Sequence, residues 1–133
     1  MKRHGKIFKA IFALYVCAVL FLCFGHFESM PEIGKTLLGI PTDKVAHFLM
    51  FLPLPVLGYL AFSKEYGKGD GLVKTITWIS VLGCIFAALT EAGQMLISFR
   101  EGDLMDYFAD FLGILTGALC LHAIIYRQRI QSR

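Results

Sequence analysis

Charged residues are scarce in this chain. Asp, Glu, Lys and Arg together make up 17% of its 133 residues, whereas 56% of the residues are apolar. A soluble domain of this size has a large surface relative to its volume and needs more polar residues to cover it. The composition therefore excludes an ordinary soluble domain, and the mean hydropathy of +0.64 indicates a membrane protein.

Sequence patterns that signal a disulfide framework or a zinc site are also missing. The four cysteines lie inside apolar stretches, without a C-x-x-C pair and without His at zinc-finger spacing. We expect them to be small buried thiols, and we predict neither a metal nor a cofactor. The net charge of +3 is explained by membrane orientation and requires no nucleic-acid partner.

Four long apolar segments account for the composition. Each has about the 20 residues that a helix needs to cross a bilayer. The sequence therefore predicts one all-α domain, residues 1–133, that forms a four-helix transmembrane bundle and has the lipid bilayer as its main partner. The predicted helices are residues 7–27, 45–62, 73–99 and 104–126.

The first segment follows a basic stretch, Met1–Lys6, of the kind that opens a signal peptide. Its apolar part is too long for an ordinary signal peptide, and no small-x-small cleavage site follows it. We therefore expect an uncleaved membrane anchor.

Prolines and glycines mark breaks between and within the segments. Residues 28–42 mix two prolines and two glycines with apolar residues, which predicts a short interfacial helix or a turn on the membrane surface. Pro53 and Pro55 are predicted to kink the second helix. The turn at residues 98–103 is so short that the third and fourth helices must form an antiparallel hairpin.

Lysines and arginines are unevenly distributed between the two ends of the predicted bundle. With the N-terminus inside, ten lie on the cytoplasmic side and three outside, which is the bias expected for a membrane protein with short loops. We therefore predict that both termini are cytoplasmic and that the segment at residues 28–42 is extracytoplasmic. The three outer basic residues are Lys35, Lys44 and Arg100.

Polar residues on the third and fourth segments recur at helical spacing. Their faces also carry small residues, which favour close helix contacts in lipid, so the two faces are predicted to pack together. Glu91 and Asp110 each lie roughly 10 Å below the outer turn. One of the two is predicted to hold a proton, or both to share a cation, because like charges side by side repel. The two faces comprise Gly83, Ala87, Glu91, Gln94 and Ser98 on one helix and Asp106, Asp110, Gly113 and Gly117 on the other.

The start of the second segment supplies positive charge. Thr42 or Asp43 is predicted to cap this helix, and His47 lies one turn further in, where it can reach the bundle interior. Lys44, Arg100 and the free N–H groups of the helix start are predicted to form a basic rim that accepts a phosphate or carboxylate. The candidate ligand-binding residues are Lys44, His47, Glu91, Gln94, Arg100, Asp106 and Asp110, and no catalytic residue is assigned.

Four motifs in this order resemble the VanZ-like family of small bacterial membrane proteins. They are Asp43-Lys44-x-x-His47-Phe48, Glu91-x-x-Gln94, Arg100-x-x-Asp103-x-x-Asp106 and Gly113-x-x-x-Gly117. The resemblance implies a multi-pass protein of the bacterial cytoplasmic (inner) membrane. Asp110 stands where the pattern of the family has Asn. The family is named for an accessory protein of glycopeptide-antibiotic resistance, which implies a role in the cell envelope.

Three classes of function fit this pattern. The first, which the basic rim favours, is binding of an anionic envelope or lipid-linked ligand at the outer leaflet, with an effect on the envelope or on the response to glycopeptide antibiotics. The second is a membrane-embedded enzyme that uses His47 and carboxylates as acid and base groups. The third is a structural subunit that contacts a membrane-protein partner, or a proton or ion path. A path would need polar residues in the cytoplasmic half, where the third and fourth helices offer little besides His122.

Each candidate residue also has a purely structural explanation. Asp106 can stabilise the start of the fourth helix together with Asp103. His47 can be a buried, hydrogen-bonded histidine that ties two helices together. Glu91 and Gln94 can hold helices together by hydrogen bonds in the apolar interior.

Overall fold

The computed structural model describes residues 2–25, 36–66, 71–97 and 102–131 of the chain. Helix α1 (Lys2–Phe24) precedes a short hairpin of two strands, β1 (Thr36–Leu37) and β2 (Ile40–Pro41). The remaining described helices are α2 (Thr42–Phe51), α3 (Leu54–Tyr66), α4 (Gly71–Met95) and α5 (Leu104–Gln131).

Four helical spans in the described residues are long and apolar enough to cross a membrane, so the predicted all-α bundle is confirmed. Helices α2 and α3 are the two halves of one span. Large apolar side chains point outward from all four spans, as they do in a protein whose surroundings are lipid. The spans are Gly5–Phe24, Thr42–Ser63, Gly71–Met95 and Leu104–Gln131.

The helix boundaries differ from the predicted ones by a few residues. The fourth helix continues to Gln131, because Arg and Gln favour helix although they end the apolar stretch at residue 126. The third ends at Met95 instead of residue 99, and the amides of Leu96 and Ile97 bond three residues back in a tightened last turn. The first helix is likewise shifted, to Lys2–Phe24.

The predicted kink in the second span is present at Leu52 and Pro53, which separate α2 from α3. Proline has no N–H to donate, so the helical hydrogen-bond ladder is interrupted here. The hydroxyl of Tyr15 on α1 donates to the carbonyl of Met50 at 2.6 Å, just before the break. This bond supplies a polar partner inside the apolar bundle and ties α1 to the kink.

Residues 36–41 form a turn, which is one of the two structures predicted for residues 28–42. Residues 28–35 lie outside the described part of the chain. Leu38 and Gly39 both have positive φ angles, 53° and 82°, which suit a tight two-residue hairpin turn. Leu38 is 97% exposed at the tip. The predicted cap of α2 is wrong: Pro41 occupies the cap position, with no side-chain hydrogen bond there.

Helices α2 and α5 approach each other closely. A Cβ atom on Gly113 would overlap the carbonyl oxygen of Phe48, and one on Gly117 would overlap the carbonyl oxygen of Leu52. The prediction that these glycines face the third span is therefore wrong, since they face the second. Two backbones that approach this closely bring the polar side chains of α2 and α5 within reach of one another.

Charge is segregated between the two ends of the antiparallel bundle. We call the end where α2 and α5 begin the acidic end and the opposite end the basic end. Five carboxyl groups lie at the acidic end: Asp43, Glu91, Asp103, Asp106 and Asp110. Of the described Lys and Arg side chains, only Lys44 lies there, and the basic end holds Lys6, Lys9, Lys74, Arg127 and Arg129.

Candidate functional site

Lys44 is the cation at the centre of the acidic end. Its ammonium lies 2.7 Å from Oδ2 of Asp103, 2.8 Å from Oδ1 of Asp106 and 3.4 Å from Oδ2 of Asp43. The side chain is 19% exposed, so these ion pairs are partly shielded from solvent. Lys44 is thus surrounded by carboxylates and is not a free cation of the predicted basic rim.

Asp103 forms the exposed edge of this arrangement. Its Oδ1 accepts the N–H of Met105 at 2.9 Å, which caps the start of α5 as the structural explanation predicted. The Lys44 ammonium beside it, together with this N–H bond, holds the pKa of the Asp103 carboxyl below its usual value. Asp103 is therefore the ionised partner that keeps Lys44 at the rim.

His47 lies one turn below Lys44 on the same face of α2. Its Nδ1 is 2.9 Å from Oδ1 of Asp110, and its Nε2 is 3.9 Å from Oδ2 of Asp106. The imidazole is therefore held between two carboxyl groups of α5. Asp110 is 1% exposed, and a carboxyl group at that depth requires a partner. The pairing fixes the orientation of the ring.

Glu91 links the end of α4 to the start of α5. Its Oε1 accepts the backbone N–H of Asp103, and the residue is 4% exposed. Its second oxygen, Oε2, is buried and has no hydrogen-bond partner among the described residues, and the same holds for Oδ2 of Asp110. Buried carboxylate oxygens without a partner are costly, so both atoms are candidate contacts for a ligand.

Two of the predicted site residues stand apart from this arrangement. Gln94 is buried and donates from Nε2 to the backbone carbonyl of Cys23 at 2.9 Å, which ties α4 to the end of α1. This contact is the interhelical bond that the structural explanation predicted. Arg100 lies outside the described residues.

The structure thus brings the side chains of α2, α4 and α5 together in what we call the acidic cluster. Its members are Asp43, Lys44, His47, Glu91, Asp103, Asp106 and Asp110. Glu91 and Asp110 have different partners, and their predicted coupling stays a prediction. Within the described part of the chain, no three His, Cys, Asp or Glu side chains are grouped so that they could hold a metal ion.

Asp43 and Asp103 were not among the predicted ligand-binding residues, although both contact Lys44. The spacing of polar residues in the sequence could have identified Asp103. Asp103, just before α5, and Asp106 on it are three residues apart, as Lys44 and His47 are on α2, so each segment presents polar groups about one helical turn apart.

An apolar groove of about 620 Å³ runs along the contact between α4 and α5. Its lining extends from Tyr107, the residue after Asp106, to His122 near the basic end. At 1.5 Å per residue this stretch is roughly 22 Å long. The groove therefore begins next to the acidic cluster and extends through most of the apolar part of the span.

Comparison with known proteins identifies a family for this chain. A family model described as VanZ/LLP1 matches residues 7–126. This match extends the resemblance seen in the motifs to the first span and to most of the last. Searches of curated proteins and of solved structures found no match.

Proposed function

The chain belongs to the VanZ/LLP1 family, and we propose that its acidic cluster binds the headgroup of an amphiphilic ligand of the cell envelope. The observation that carries this proposal is the pair of buried oxygens, Oε2 of Glu91 and Oδ2 of Asp110, that have no partner among the described residues. Ionisable groups are expensive inside a membrane protein, and groups kept there are usually functional. A ligand that donates hydrogen bonds to these oxygens would offset that cost.

The charges of the cluster favour a particular headgroup chemistry. The described cluster holds five carboxyl groups against one ammonium and one imidazole. Such a site complements hydroxyl, amide or ammonium groups, which donate hydrogen bonds to carboxylates. The anionic ligand predicted from the sequence stays untested.

The groove between α4 and α5 supports an amphiphilic ligand over a small soluble one. Its apolar lining begins beside the cluster at Tyr107, so a headgroup in the cluster would have its hydrocarbon chain alongside the groove. An amphiphile of the envelope would combine such a chain with a headgroup that donates hydrogen bonds to the carboxyl groups. The basic-residue distribution predicts that the acidic end faces away from the cytoplasm, where an envelope ligand would be met.

We further propose that this binding affects the envelope or the response to glycopeptide antibiotics, in a bacterial cytoplasmic membrane. The proposal extends the implication of the family name to this chain. It requires the cluster to act at the outer leaflet, because glycopeptides act on the outer side of that membrane.

Lipid analysis of the purified protein tests the proposal. The wild type, His47→Ala and Glu91→Ala would be extracted in native nanodiscs, and the lipids that co-purify would be compared with bulk membrane lipid. We expect one amphiphile to be enriched with the wild type and lost from both variants. Thr116→Ala serves as the control, because Thr116 is an exposed residue of α5 whose hydroxyl bonds only its own helix at Leu112. Identical lipids in all four samples would refute the proposal.

A membrane-embedded enzyme is the second candidate, and the His47–Asp110 pair favours it. A buried carboxylate that bonds one nitrogen of an imidazole fixes the ring and prepares the other nitrogen for proton transfer. The same experiment separates the two functions. An enzyme would change the composition of the whole membrane, with substrate accumulating in the His47→Ala strain, whereas a binding site would change only what co-purifies with the protein.

A further inference from the structure

A second groove lies at the basic end, away from the acidic cluster. It has a volume of about 560 Å³, which lies within the range of ligand-binding clefts, and it is formed by α3 and α4. Its lining residues are Phe62, Lys74, Thr75, Trp78, Ile79 and Leu82. All but Lys74 and Thr75 are apolar, and Thr75 bonds the carbonyl of Gly71 in its own helix. Lys74 is therefore the charged group of this groove.

One lining residue, Phe62, is in contact with a second lysine. The ammonium of Lys9 on α1 is 5.7 Å from the centre of the Phe62 ring, a distance at which a cation is attracted to the ring face. Phe62 itself packs edge-on against Phe12 of α1, with ring centres 5.6 Å apart. Phe62 thus contacts α1 and also lines the groove, so the cation of Lys9 lies next to one lining residue.

The groove has a closed floor and an open side. The helices α3 and α4 meet at Gly58, where a Cβ atom would lie 2.7 Å from a methyl group of Ile79, so the helices are in direct contact below the groove. Trp78 is 58% exposed on the outer side. From Lys74 to Leu82 the lining extends roughly 12 Å along α4, from the helix start towards the middle of the membrane.

We propose that this groove binds an anionic phospholipid, with its phosphate at Lys74 and one acyl chain along Trp78, Ile79 and Leu82. The occupant follows from the chemistry of the lining. The positive charge of Lys74 lies at the membrane surface end, where a phosphate lies, and the apolar residues continue towards the bilayer centre, where an acyl chain lies. Basic pockets between membrane-spanning helices are places where anionic headgroups bind.

The alternative is that Lys74 only extends its ammonium to the interface and meets all lipids alike. A long lysine side chain near a helix end does this in many membrane proteins. The two accounts predict different lipid selectivity at Trp78. A binding groove would hold an acyl chain of the anionic lipid against the Trp78 ring, whereas a lysine at the interface would leave the ring in contact with all lipids alike. The chain contains a single Trp, so its fluorescence reports on this groove alone.

The test uses quenching of Trp78 by brominated lipids. The full chain would be reconstituted in vesicles of unlabelled phosphatidylcholine that contain a minor fraction of phospholipid with brominated acyl chains, either phosphatidylglycerol or phosphatidylcholine. We expect the anionic lipid to quench Trp78 more strongly at equal bromine content, with about a fivefold preference, as one well-placed lysine provides. Lys74→Gln should abolish the preference, and Lys74→Arg should keep it.

Arg127→Gln is the matched control, because it removes the same charge from the same end but from α5, outside the groove lining. It should keep the preference of the wild type. Equal quenching by both lipids in the wild type would overturn the proposal, and so would a preference that survives Lys74→Gln. A preference that falls equally in Lys74→Gln and Arg127→Gln would also overturn it, since general attraction to a basic end would then explain the result.

Discussion

The two ends of this bundle carry opposite charges, which are buried at one end and peripheral at the other. At the acidic end, Glu91, Asp106 and Asp110 are buried between helices, and their partners lie outside their own helices. At the basic end the described cations lie at the rim of the bundle, with Lys9 against an aromatic ring and Lys74 beside a lipid-facing groove. The buried carboxyl groups therefore form a site inside the protein, whereas the peripheral cations lie where they can contact the membrane surface.

This difference separates two roles of charge in a membrane protein. Cations near the surface cost little, can orient the chain in the bilayer and attract anionic lipids. Carboxyl groups in the interior carry a desolvation cost that their partners must offset, so stability and function depend on the same residues there. The following predictions address the two ends in turn, from the largest expected effect to the smallest.

The orientation of the two ends should give an all-or-none result. A cysteine at Leu38, which is 97% exposed on the hairpin beside the acidic end, should react with a membrane-impermeant maleimide on intact cells. A cysteine at Gly69, between α3 and α4 in the sequence, should react only after the cells are permeabilised. The unmodified chain is the control, since its four cysteines lie within membrane-spanning helices. The reverse labelling pattern would place the acidic end in the cytoplasm.

Removal of His47 should destabilise the fold more than any change at the basic end. His47→Ala leaves the carboxyl group of Asp110 buried without its imidazole partner, which we expect to cost about 3 kcal/mol. Lys74→Ala should change the free energy of unfolding by less than about 0.5 kcal/mol, because Lys74 lies at the surface. Unfolding in mixed detergent micelles, followed by helical content, measures both values.

The variant Asp110→Asn tests whether the buried charge of Asp110 causes the expected destabilisation. The Asn amide can still bond His47 without a buried charge, and Asn is the residue that the family resemblance leads us to expect at this position. We expect a smaller loss than in His47→Ala, and the double variant His47→Ala/Asp110→Asn should recover part of the stability of His47→Ala. If His47→Ala is no less stable than Lys74→Ala, the buried pair does not support the acidic end.

The exposed edge of the acidic cluster should contribute only slightly, in a pH-dependent way. The pKa of Asp103 is lowered by Lys44, so their ion pair stabilises the fold above the usual carboxyl pKa, and this contribution is lost as the pH falls through the lowered pKa. Asp103→Asn keeps a residue that can cap α5 but loses the charge. Its unfolding midpoint should lie slightly below that of the wild type at neutral pH and converge with it in acid. A difference that grows towards acid pH would contradict this account.

Much of the fold could be predicted from the sequence, because hydropathy determines where helices cross a membrane and proline determines where they break. The predicted spans and the kink at Pro53 follow from these local properties. The position of α2 against the glycines of α5 could not be predicted, since the short turn only paired the third and fourth helices. Because α5 was predicted to pack against the third span, the ion pairs of Lys44 with Asp103 and Asp106 were not predicted.

The candidate site was predicted only in part, because the sequence shows which residues are ionisable but not which partners they contact. His47, Asp106 and Asp110 were identified as ionisable residues at membrane depth, and the structure brings them together. Gln94 was assigned to the same site, although its partner is the backbone carbonyl of Cys23 on α1. A backbone partner carries no signature in the sequence, so this contact became visible only from the packing of α4 against α1.

A double-mutant comparison tests most directly whether the acidic cluster is one functional site. Glycopeptide susceptibility would be measured for His47→Ala, Glu91→Ala and the double variant, at matched abundance in the membrane. Members of a shared site are not additive, because the loss of one leaves its partners buried and unpaired. We predict that the double variant is no worse than the more severe single variant. Strictly additive losses, or losses that follow only the amount of protein in the membrane, would show that these residues merely hold the helices together.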